Sequence, residues 1–325
     1  MFDVISLGTA TYDVFLKSPG MEINQKGEDK NICFRYGAKL EVNEIFFDYG
    51  GGGTNSAVTF ARQGLKIASI VQVGDDFFGK KILADLQEEG VATNLVNIQE
   101  GNTDYSTILW VPNGGRTILV YRGKTRLEID NVLWDKLDSK WFYISSLEGN
   151  LQIIENLIRR FGGENCRIAW NPGSRELKQK EKLLSLLPSI TLLNVNKEEM
   201  IELLAISNKQ LAISDILSEA QKLPCEYIVI TDDKRGAYFW NKRESYWYNC
   251  GIFEDSPRVE TTGAGDAFGS GLVTGFMKGY PFKECLYLAS ANASSVVGKM
   301  GAKKGILRPE DLSAWGREKL LIKRL

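Results

Sequence analysis

The chain has 325 residues, of which 43% are hydrophobic and 25% are charged, and its formal net charge is −1. This composition is typical of a folded globular protein, and the near-neutral charge does not favour nucleic-acid binding. The chain contains no histidine, which excludes a Ser-His-Asp or Cys-His nucleophile system and a zinc ion held by histidine. Proton transfer must therefore use another side chain, and a carboxylate is favoured.

Neither the cysteines nor the hydropathy pattern indicates a secreted or membrane protein. The five cysteines are odd in number and form no Cys-x-x-Cys pair, which is typical of a cytosolic protein. The sequence opens on a strand-like run without a basic, then apolar, leader, and no stretch approaches the ~20 apolar residues that a membrane span needs. We therefore expect a cytoplasmic protein.

Strand-like apolar runs alternate with helix-period segments along most of the chain. The expected strands lie at 4–7, 68–73, 141–144, 167–170, 192–195 and 227–231. The expected helices lie at 56–63, 78–89, 151–161, 265–277 and 285–300. Repeated alternation of this kind predicts an α/β fold with a mostly parallel sheet and helices on both faces.

Two polar, β-rich segments, 14–49 and 106–122, interrupt this alternation. In the second, two apolar runs flank 112–115, a Pro-Asn-Gly-Gly sequence that is typical of a hairpin turn. We expect both segments to form one small β lid over a core of residues 1–13, 50–105 and 123–325. Two independent surface hairpins would also fit the pattern.

The segment 260–271 is the first candidate for chemistry. Gly263, Ala264 and Gly265 form a small-residue turn that leads into an apolar helix, and a helix N-terminus offers free amides and a positive dipole end to an anion. Asp266 follows directly and is expected beside this anion hole. It could simply cap the helix, or it could accept the proton of a hydroxyl that attacks a phosphoryl group.

The glycine-rich segment 50–53 is the second candidate. Consecutive glycines let the backbone approach a ligand closely, and Asn55 could cap the next helix or bind a hydroxyl group. Asp13 lies near the end of the first strand, where open α/β sheets bind ligands. A flexible linker is the alternative for the glycines, but the flanking sequence looks ordered.

The third candidate is 194–199, which follows an apolar strand. Asn196 and Glu199 would share one face of a helix, and their oxygens suit Mg²⁺, directly or through water. From this segment alone, an ordinary helix N-terminus with acidic residues is favoured.

These segments, in this order, resemble the ribokinase-like (PfkB) family of carbohydrate and nucleoside kinases over nearly the whole chain. The most specific likeness is 261–268, which is close to the family signature D-T-T-G-A-G-D-A-F; 51–57 resembles its glycine-rich signature, and 196–199 its N-x-x-E. The resemblance implies a three-layer α/β/α core with a small β-stranded lid. It also implies ATP and Mg²⁺ as cofactors and transfer of a phosphoryl group to an alcohol group of a sugar or nucleoside.

The resemblance further implies roles for individual residues. Asp266 would be the base, with Gly263, Ala264 and Gly265 as the anion hole. The acceptor would be held by Asp13, Gly51, Gly52, Gly53, Asn55 and, by a looser match, Glu148. The nucleotide side would comprise Asn196, Thr231, Gly236, Thr262 and Asn292, and Glu199 would hold Mg²⁺ through water.

Two positions depart from the family pattern. Glu260 replaces the first Asp of the signature, which helps to bind a monovalent cation in several members, so the resemblance supports such a cation less well than Mg²⁺. Asp233 replaces a glycine of the nucleotide-side turn T-x-G-x-x-G, where a negative charge is unfavourable unless it points away. A catalytically silent binding or regulatory subunit is therefore an alternative to an active kinase.

The sequence leaves the acceptor and the oligomeric state open. A nucleoside would need stacking partners for its base, and the aromatic residues of the lid either provide them or simply form its core: Phe46, Phe47, Tyr105 and Trp110. An exposed lid edge would also allow a homodimer. The expected partners are otherwise a small-molecule substrate alone, without nucleic acid or membrane.

Overall fold

Strands and helices alternate through the computed structural model, which describes residues 1–26, 29–110, 116–123, 126–163, 166–206 and 211–325. The strands are β1 (Phe2–Leu7), β2 (Thr11–Lys17), β3 (Glu22–Lys26), β4 (Asp29–Cys33), β5 (Glu44–Gly50), β6 (Ile67–Ile70), β7 (Gln72–Gly74), β8 (Asn97–Gln99), β9 (Asp104–Trp110), β10 (Arg116–Tyr121), β11 (Ser139–Ile144), β12 (Arg167–Trp170), β13 (Leu192–Asn196), β14 (Tyr227–Thr231), β15 (Ala237–Asn241), β16 (Tyr246–Cys250) and β17 (Ile322–Arg324). The helices are α1 (Gly52–Arg62), α2 (Phe77–Glu88), α3 (Leu151–Phe161), α4 (Ser174–Leu177), α5 (Lys180–Leu186), α6 (Lys197–Leu203), α7 (Ile213–Ala220), α8 (Ala264–Met277) and α9 (Phe282–Val297).

A nine-stranded sheet in the order β17-β16-β15-β14-β13-β12-β11-β1-β6 forms the middle of the molecule. The strands from β6 to β14 in this order are parallel, and β15, β16 and β17 are added antiparallel at one edge. The carboxyl ends of the parallel strands therefore lie along one side of the sheet, which is where ligands bind in open α/β folds.

Both faces of this sheet are covered by helices. Neighbouring residues of β11 show the division, because Phe142 packs into one apolar core with α3, α5, α6 and α7, whereas Tyr143 packs into the other with α1, α2, α8 and α9. Strands that are buried on both faces are apolar at every position instead of alternating. The three-layer α/β/α fold predicted from the sequence is thus confirmed. No helix among the described residues is long and apolar enough to span a membrane.

A second sheet, in the order β10-β9-β2-β5, joins strands from the two segments that interrupt the alternation. It is called the lid sheet below. β2 pairs antiparallel with β5 and parallel with β9, so the two segments share one sheet. The pairing of β2 with β9 starts with Thr11 opposite Asp104, and the lid sheet therefore includes Asp13 and Tyr105, which the predicted boundaries assign to the core. The predicted turn at 112–115 lies outside the described residues.

Candidate active site

The turn before α8 has the geometry of an anion-binding helix N-terminus. Gly263 adopts φ 77° and ψ −1°, the left-handed conformation that favours glycine, and a side chain there would place its Cβ 2.7 Å from Cβ of Ala302. The first helical hydrogen bond runs from the Ala267 amide to the Gly263 carbonyl at 2.8 Å. The amides of Gly265 and Asp266 precede it and have no acceptor within the helix. They are thus free to bind an anion in front of α8.

The Asp266 carboxylate faces the glycine-rich start of α1. Asn55 Nδ2 donates a hydrogen bond to Asp266 Oδ2 at 3.0 Å, and a Cβ added to Gly52 would lie 3.2 Å from Asp266 Oδ1. Burial raises the pKa of Asp266 above its ordinary value, while the Asn55 hydrogen bond acts in the opposite direction. Within the described residues, this carboxylate thus accepts its hydrogen bond from Asn55 on α1, whereas a helix-capping carboxylate would accept one from amides of α8.

The glycine-rich turn lets α1 approach the ends of β1 and β11. Gly51 has φ 93°, and a Cβ on it would lie 2.4 Å from the Thr9 carbonyl oxygen. A Cβ on Gly52 would lie 2.6 Å from that of Ser145. A Cβ on Gly53, the third glycine expected to hold substrate, would lie 2.7 Å from Val71 Cγ1. The turn therefore places the Asp266 carboxylate at the carboxyl ends of the parallel strands.

Asp13 lies on β2 opposite Asp48 of β5, and both carboxylates are buried. Thr11 Oγ1 donates a hydrogen bond to Asp13 Oδ1 at 2.9 Å. Burial is the main reason that the pKa of Asp13 is raised to about 6; the charge of Asp48 acts in the same direction, while hydrogen bonds from Thr11 and Ser106 and the charge of Lys303 act against it. Burial also raises the pKa of Asp48, whose Oδ2 has no hydrogen-bond partner among the described residues. The sequence reasoning missed Asp48, because its proximity to Asp13 depends on strand register.

A cavity of about 340 Å³ opens below the lid sheet at the carboxyl ends of β1 and β11, and it is called the acceptor cavity below. Its wall includes the backbone of 8–10, which packs against the glycine-rich turn, and Glu148. Glu148 has φ 58° and binds two arginines, with Oε1 3.1 Å from Arg122 Nη2 and Oε2 2.8 Å from Arg175 Nη1. Both oxygens of this predicted substrate residue are thus already paired.

A smaller cavity of about 170 Å³ lies between the N-termini of α6 and α8 and contains Asp266, Asn196, Glu199 and Thr231. Asn196 Oδ1 accepts a hydrogen bond from the Glu199 amide, and Glu199 Oε2 accepts one from the Asn196 amide, each at 2.8 Å. Both side chains therefore cap α6. Burial raises the pKa of Glu199, and its other oxygen, Oε1, takes no part in the cap.

A third cavity, of about 370 Å³, lies on the other side of the same turn and is called the nucleotide cavity below. Thr231, Gly236, Ala264 and Gly265 line it. Asp233 lines it as well and forms an ion pair with Arg258. The negative charge that replaces the family's glycine is therefore compensated.

Two residues expected on the nucleotide side lie outside this cavity. Asn292 is buried, with its Nδ2 2.9 Å from the Ala267 carbonyl oxygen and its Oδ1 2.9 Å from the Leu307 amide. The residues of α9 that line the nucleotide cavity lie on the opposite face of this helix from Asn292, at the three- or four-residue spacing of one helix face: Ser290, Ala293, Ser294 and Val297. Thr262 is engaged elsewhere, because its amide and hydroxyl both donate to Glu260 Oε1, at 2.8 and 2.6 Å.

The lid sheet reaches the anion-binding turn through Arg116, which the sequence reasoning missed. Arg116 Nη1 lies 2.9 Å from Glu260 Oε1 and also donates to the hydroxyl of Thr261, which lines the nucleotide cavity. Glu260 is buried, and none of the residues that the structure describes forms a hydrogen bond with its Oε2. The guanidinium group of Arg116 thus places a positive charge beside Glu260, the residue whose difference from the family signature makes a monovalent cation site less well supported.

A three-layer core whose strand ends carry an anion-binding turn, a carboxylate and a cavity on each side is the architecture of a small-molecule kinase. The sequence profile of the pfkB family carbohydrate kinase matches residues 1–308. Because this match covers nearly the whole chain, the protein belongs to the pfkB family, and it is a phosphotransferase of the sugar or nucleoside kinase class.

Individual relatives agree with this assignment. An uncharacterized sugar kinase from Archaeoglobus fulgidus is 29% identical over 269 residues, which are 77% of this chain and 99% of that protein. Ribokinase from Haemophilus influenzae is 25% identical over 262 residues, 79% of this chain and 84% of that one. The structure of ribokinase from Cryptococcus neoformans in complex with ADP matches with a TM-score of 0.77 at 18% identity and covers 97% of this chain and 99% of that one. The predicted ribokinase-like fold is confirmed.

Proposed function

We propose that the protein transfers the γ-phosphoryl group of ATP to an alcohol group of a sugar, with Asp266 as the base. The observation that carries this proposal is the position of the Asp266 carboxylate. It lies beside the free amides at the start of α8, is oriented by Asn55, and faces the glycine-rich turn, which packs against residues 8–10 in the wall of the acceptor cavity. A carboxylate with a raised pKa accepts a proton more readily than an exposed one.

The reaction would proceed by direct transfer between the two substrates. Asp266 would accept the proton of the acceptor hydroxyl as its oxygen forms a bond to the γ-phosphorus, and the bond between that phosphorus and the bridging oxygen of ADP would break. The amides of Gly265 and Asp266 would stabilise the charge on the transferring group. ATP would occupy the nucleotide cavity, whose lining includes Ala264 and Gly265.

The donor set at the start of α6 fits Mg²⁺ that arrives with ATP. Among the described residues, no three or more acidic, cysteine or histidine side chains cluster as a metal site. Glu199 Oε1, in a cavity shared with Asp266, is a hard oxygen outside the helix cap, and Mg²⁺ typically uses one or two carboxylates together with substrate phosphates and water. Glu199 would hold the ion through water, and the ion would neutralise phosphate charge when bound.

The lining of the acceptor cavity favours a sugar over a nucleoside. None of the described residues that line it is aromatic, so a base would find no stacking partner there. Tyr105, one of the lid aromatics considered for this role, packs instead on Tyr12 and Phe78, with ring centroids 6.3 and 5.4 Å apart. The ring of Trp110 packs against the ammonium group of Lys17, whose Nζ lies 4.6 Å from the ring centroid.

We also propose that the exposed edge of the lid sheet pairs with a second copy of the chain. Ile118, Leu119 and Val120 of the edge strand β10 are all exposed, as are Ile45 and Phe47 of the opposite edge. Exposed apolar strands at a sheet edge are typical of surfaces that pair with another chain.

Acceptor-dependent release of ADP tests the proposed function. Purified protein is incubated with ATP, Mg²⁺ and one acceptor from a panel of ribose, fructose, sugar phosphates and nucleosides. We expect ADP with at least one sugar-type acceptor and none above background with nucleosides. ADP release with nucleosides alone would contradict the sugar assignment. No ADP release with any acceptor, although ATP binds, would favour a regulatory subunit.

A further inference from the structure

Among the residues that the structure describes, four cationic side chains from three separate parts of the chain line the acceptor cavity. They follow β10 or lie on α4 and α5: Arg122, Arg126, Arg175 and Lys182. Three acidic side chains share the lining: Asp104, Glu128 and Glu148. A cavity that binds only neutral hydroxyl groups does not require this many charged side chains. What the cavity can bind therefore depends on which of these charged groups already have partners within the protein.

The acidic groups of the lining are already engaged. Glu148 uses both oxygens on arginines, and this double ion pair accompanies the unfavourable φ of 58° at that residue. Asp104 Oδ2 lies 3.0 Å from Arg122 Nη1, and its Oδ1 accepts a hydrogen bond from the Gly123 amide at 2.7 Å. Glu128 Oε2 accepts a hydrogen bond from Asn150 Nδ2 at 3.1 Å. A sugar hydroxyl would have to displace these partners to bind a carboxylate here.

Donors and one acceptor in the same wall remain available. A guanidinium group has five N–H donors, and Arg175 uses Nη1 in its ion pair with Glu148. Arg126 forms no ion pair with any residue of the described ranges, which leave out 124 and 125. Gln72 also lines the cavity, and its buried Oε1 has no hydrogen-bond partner in the part of the chain that the structure describes. The wall thus offers charged donors to an anion and an amide oxygen to a hydroxyl.

We propose that the acceptor is a polyhydroxylated anion, a sugar that carries a phosphate or carboxylate group, held by Arg126 and Arg175 while Gln72 accepts a hydrogen bond from one of its hydroxyls. This inference rests on the proposed function, because it takes the cavity as the acceptor site. The anionic group takes no part in bond changes: the proton of the reacting hydroxyl goes to Asp266, and ADP is the leaving group.

Matched acceptors with and without the charge test this inference. Turnover is measured with fructose against fructose 6-phosphate, and with glucose against gluconate, at saturating ATP. We expect kcat/KM to be about 10- to 100-fold higher for the charged member of at least one pair, since hydrogen bonds to charged groups are the stronger ones. The pair that responds distinguishes phosphate from carboxylate. Equal or better turnover of both neutral members would overturn the inference.

Variants of Arg126 and Arg175 test whether these two side chains bind the anionic group of the acceptor. Arg126→Gln and Arg175→Gln are each expected to raise KM for the charged acceptor about tenfold and to leave KM for ATP within about twofold. Arg160→Gln, a change of the same kind on the exposed face of α3 outside the cavity, is the control and is expected to change neither constant. Equal losses with charged and neutral acceptors would contradict an anion subsite.

Binding of anionic acceptors to a variant that lacks the proposed base tests this inference separately from the proposed function. Calorimetry with Asp266→Asn measures the affinity for fructose 6-phosphate and gluconate without turnover. Tight binding of either anion, with no phosphorylation by the wild type, would support the subsite and contradict the kinase role of the cavity. Phosphorylation of neutral sugars alone would support the proposed function and overturn the subsite, and neither binding nor turnover of an anion would also overturn it.

Discussion

Gly263 has two independent reasons to be glycine, a left-handed φ of 77° and the contact that any Cβ would make with Ala302. We expect Gly263→Ala to lower the free energy of unfolding by about 1–3 kcal/mol, measured by urea denaturation. Gly279→Ala, where φ is 66° and the space around a Cβ is open, shows the cost of the backbone conformation alone. Gly265→Ala, which has neither constraint, is expected to be neutral or slightly stabilising.

Asp13 makes stability depend on pH. Its pKa of about 6 in the folded protein exceeds the ordinary value of 3.8, so the folded state binds this proton more tightly than the unfolded chain does. The stability contributed by Asp13 is therefore present below about pH 4 and is lost as pH rises to about 6. We expect Asp13→Asn to be more stable than the wild type at pH 8 by about 1–3 kcal/mol, and this difference to vanish by pH 4. A variant less stable than the wild type at pH 8 would contradict this assignment.

Local motifs predict the conformation of some parts of the candidate site and not the contacts of others. The turn before Asp266 and the glycine-rich turn are continuous stretches whose conformations follow from their own residue types, so the sequence could indicate them. Pairs such as Asp13 with Asp48 depend on strand register, which no local pattern encodes. Asn292, which the resemblance places on the nucleotide side, lies on the face of α9 away from the nucleotide cavity, because a resemblance in sequence indicates the helix but not the packing of each of its faces.

At the scale of elements, β10 connects the two proposed substrate sites. Its first residue, Arg116, binds Glu260 and Thr261 beside the nucleotide cavity, and Arg122, directly after its last residue, binds Glu148 in the acceptor cavity. One strand of the lid sheet is thus held to the core at both ends. These contacts join parts of the chain far apart in sequence, which explains why the hairpin could be predicted but not its contacts.

This arrangement predicts opposite effects of two similar substitutions. Arg116→Gln is expected to raise KM for ATP about tenfold and to change KM for the acceptor by less than about twofold, because it removes a charged contact on the nucleotide side only. Arg122→Gln is expected to raise KM for the acceptor about tenfold and to change KM for ATP by less than about twofold. Steady-state kinetics with each substrate varied in turn measures both constants, and equal effects of the two variants on ATP would argue against separate roles.

For the whole molecule, the sequence predicted the parallel sheet because its apolar runs have strand length and alternate with helix-period segments. The antiparallel edge of β15, β16 and β17 was not predicted, since adjacent short strands carry no helical signal that marks the change of direction. The order of the strands also depends on packing, which a single sequence does not reveal.

The proposed pairing of lid edges is tested by the mass of the assembly. We expect sedimentation equilibrium to give a dimer for the wild type and a monomer for Leu119→Lys, because a charge on the exposed edge strand discourages strand pairing. Lys283→Glu, a charge change at the start of α9 away from the lid sheet, is the control and should remain dimeric. A monomeric wild type would contradict the pairing.

The most direct test of the central claim is the turnover of Asp266→Asn beside its affinity for ATP. Asparagine keeps the shape of the side chain but cannot accept the proton, so we expect kcat to fall by about 100-fold or more while the Kd for ATP, measured by calorimetry, stays within about threefold. Near wild-type turnover in this variant would show that Asp266 is not the base.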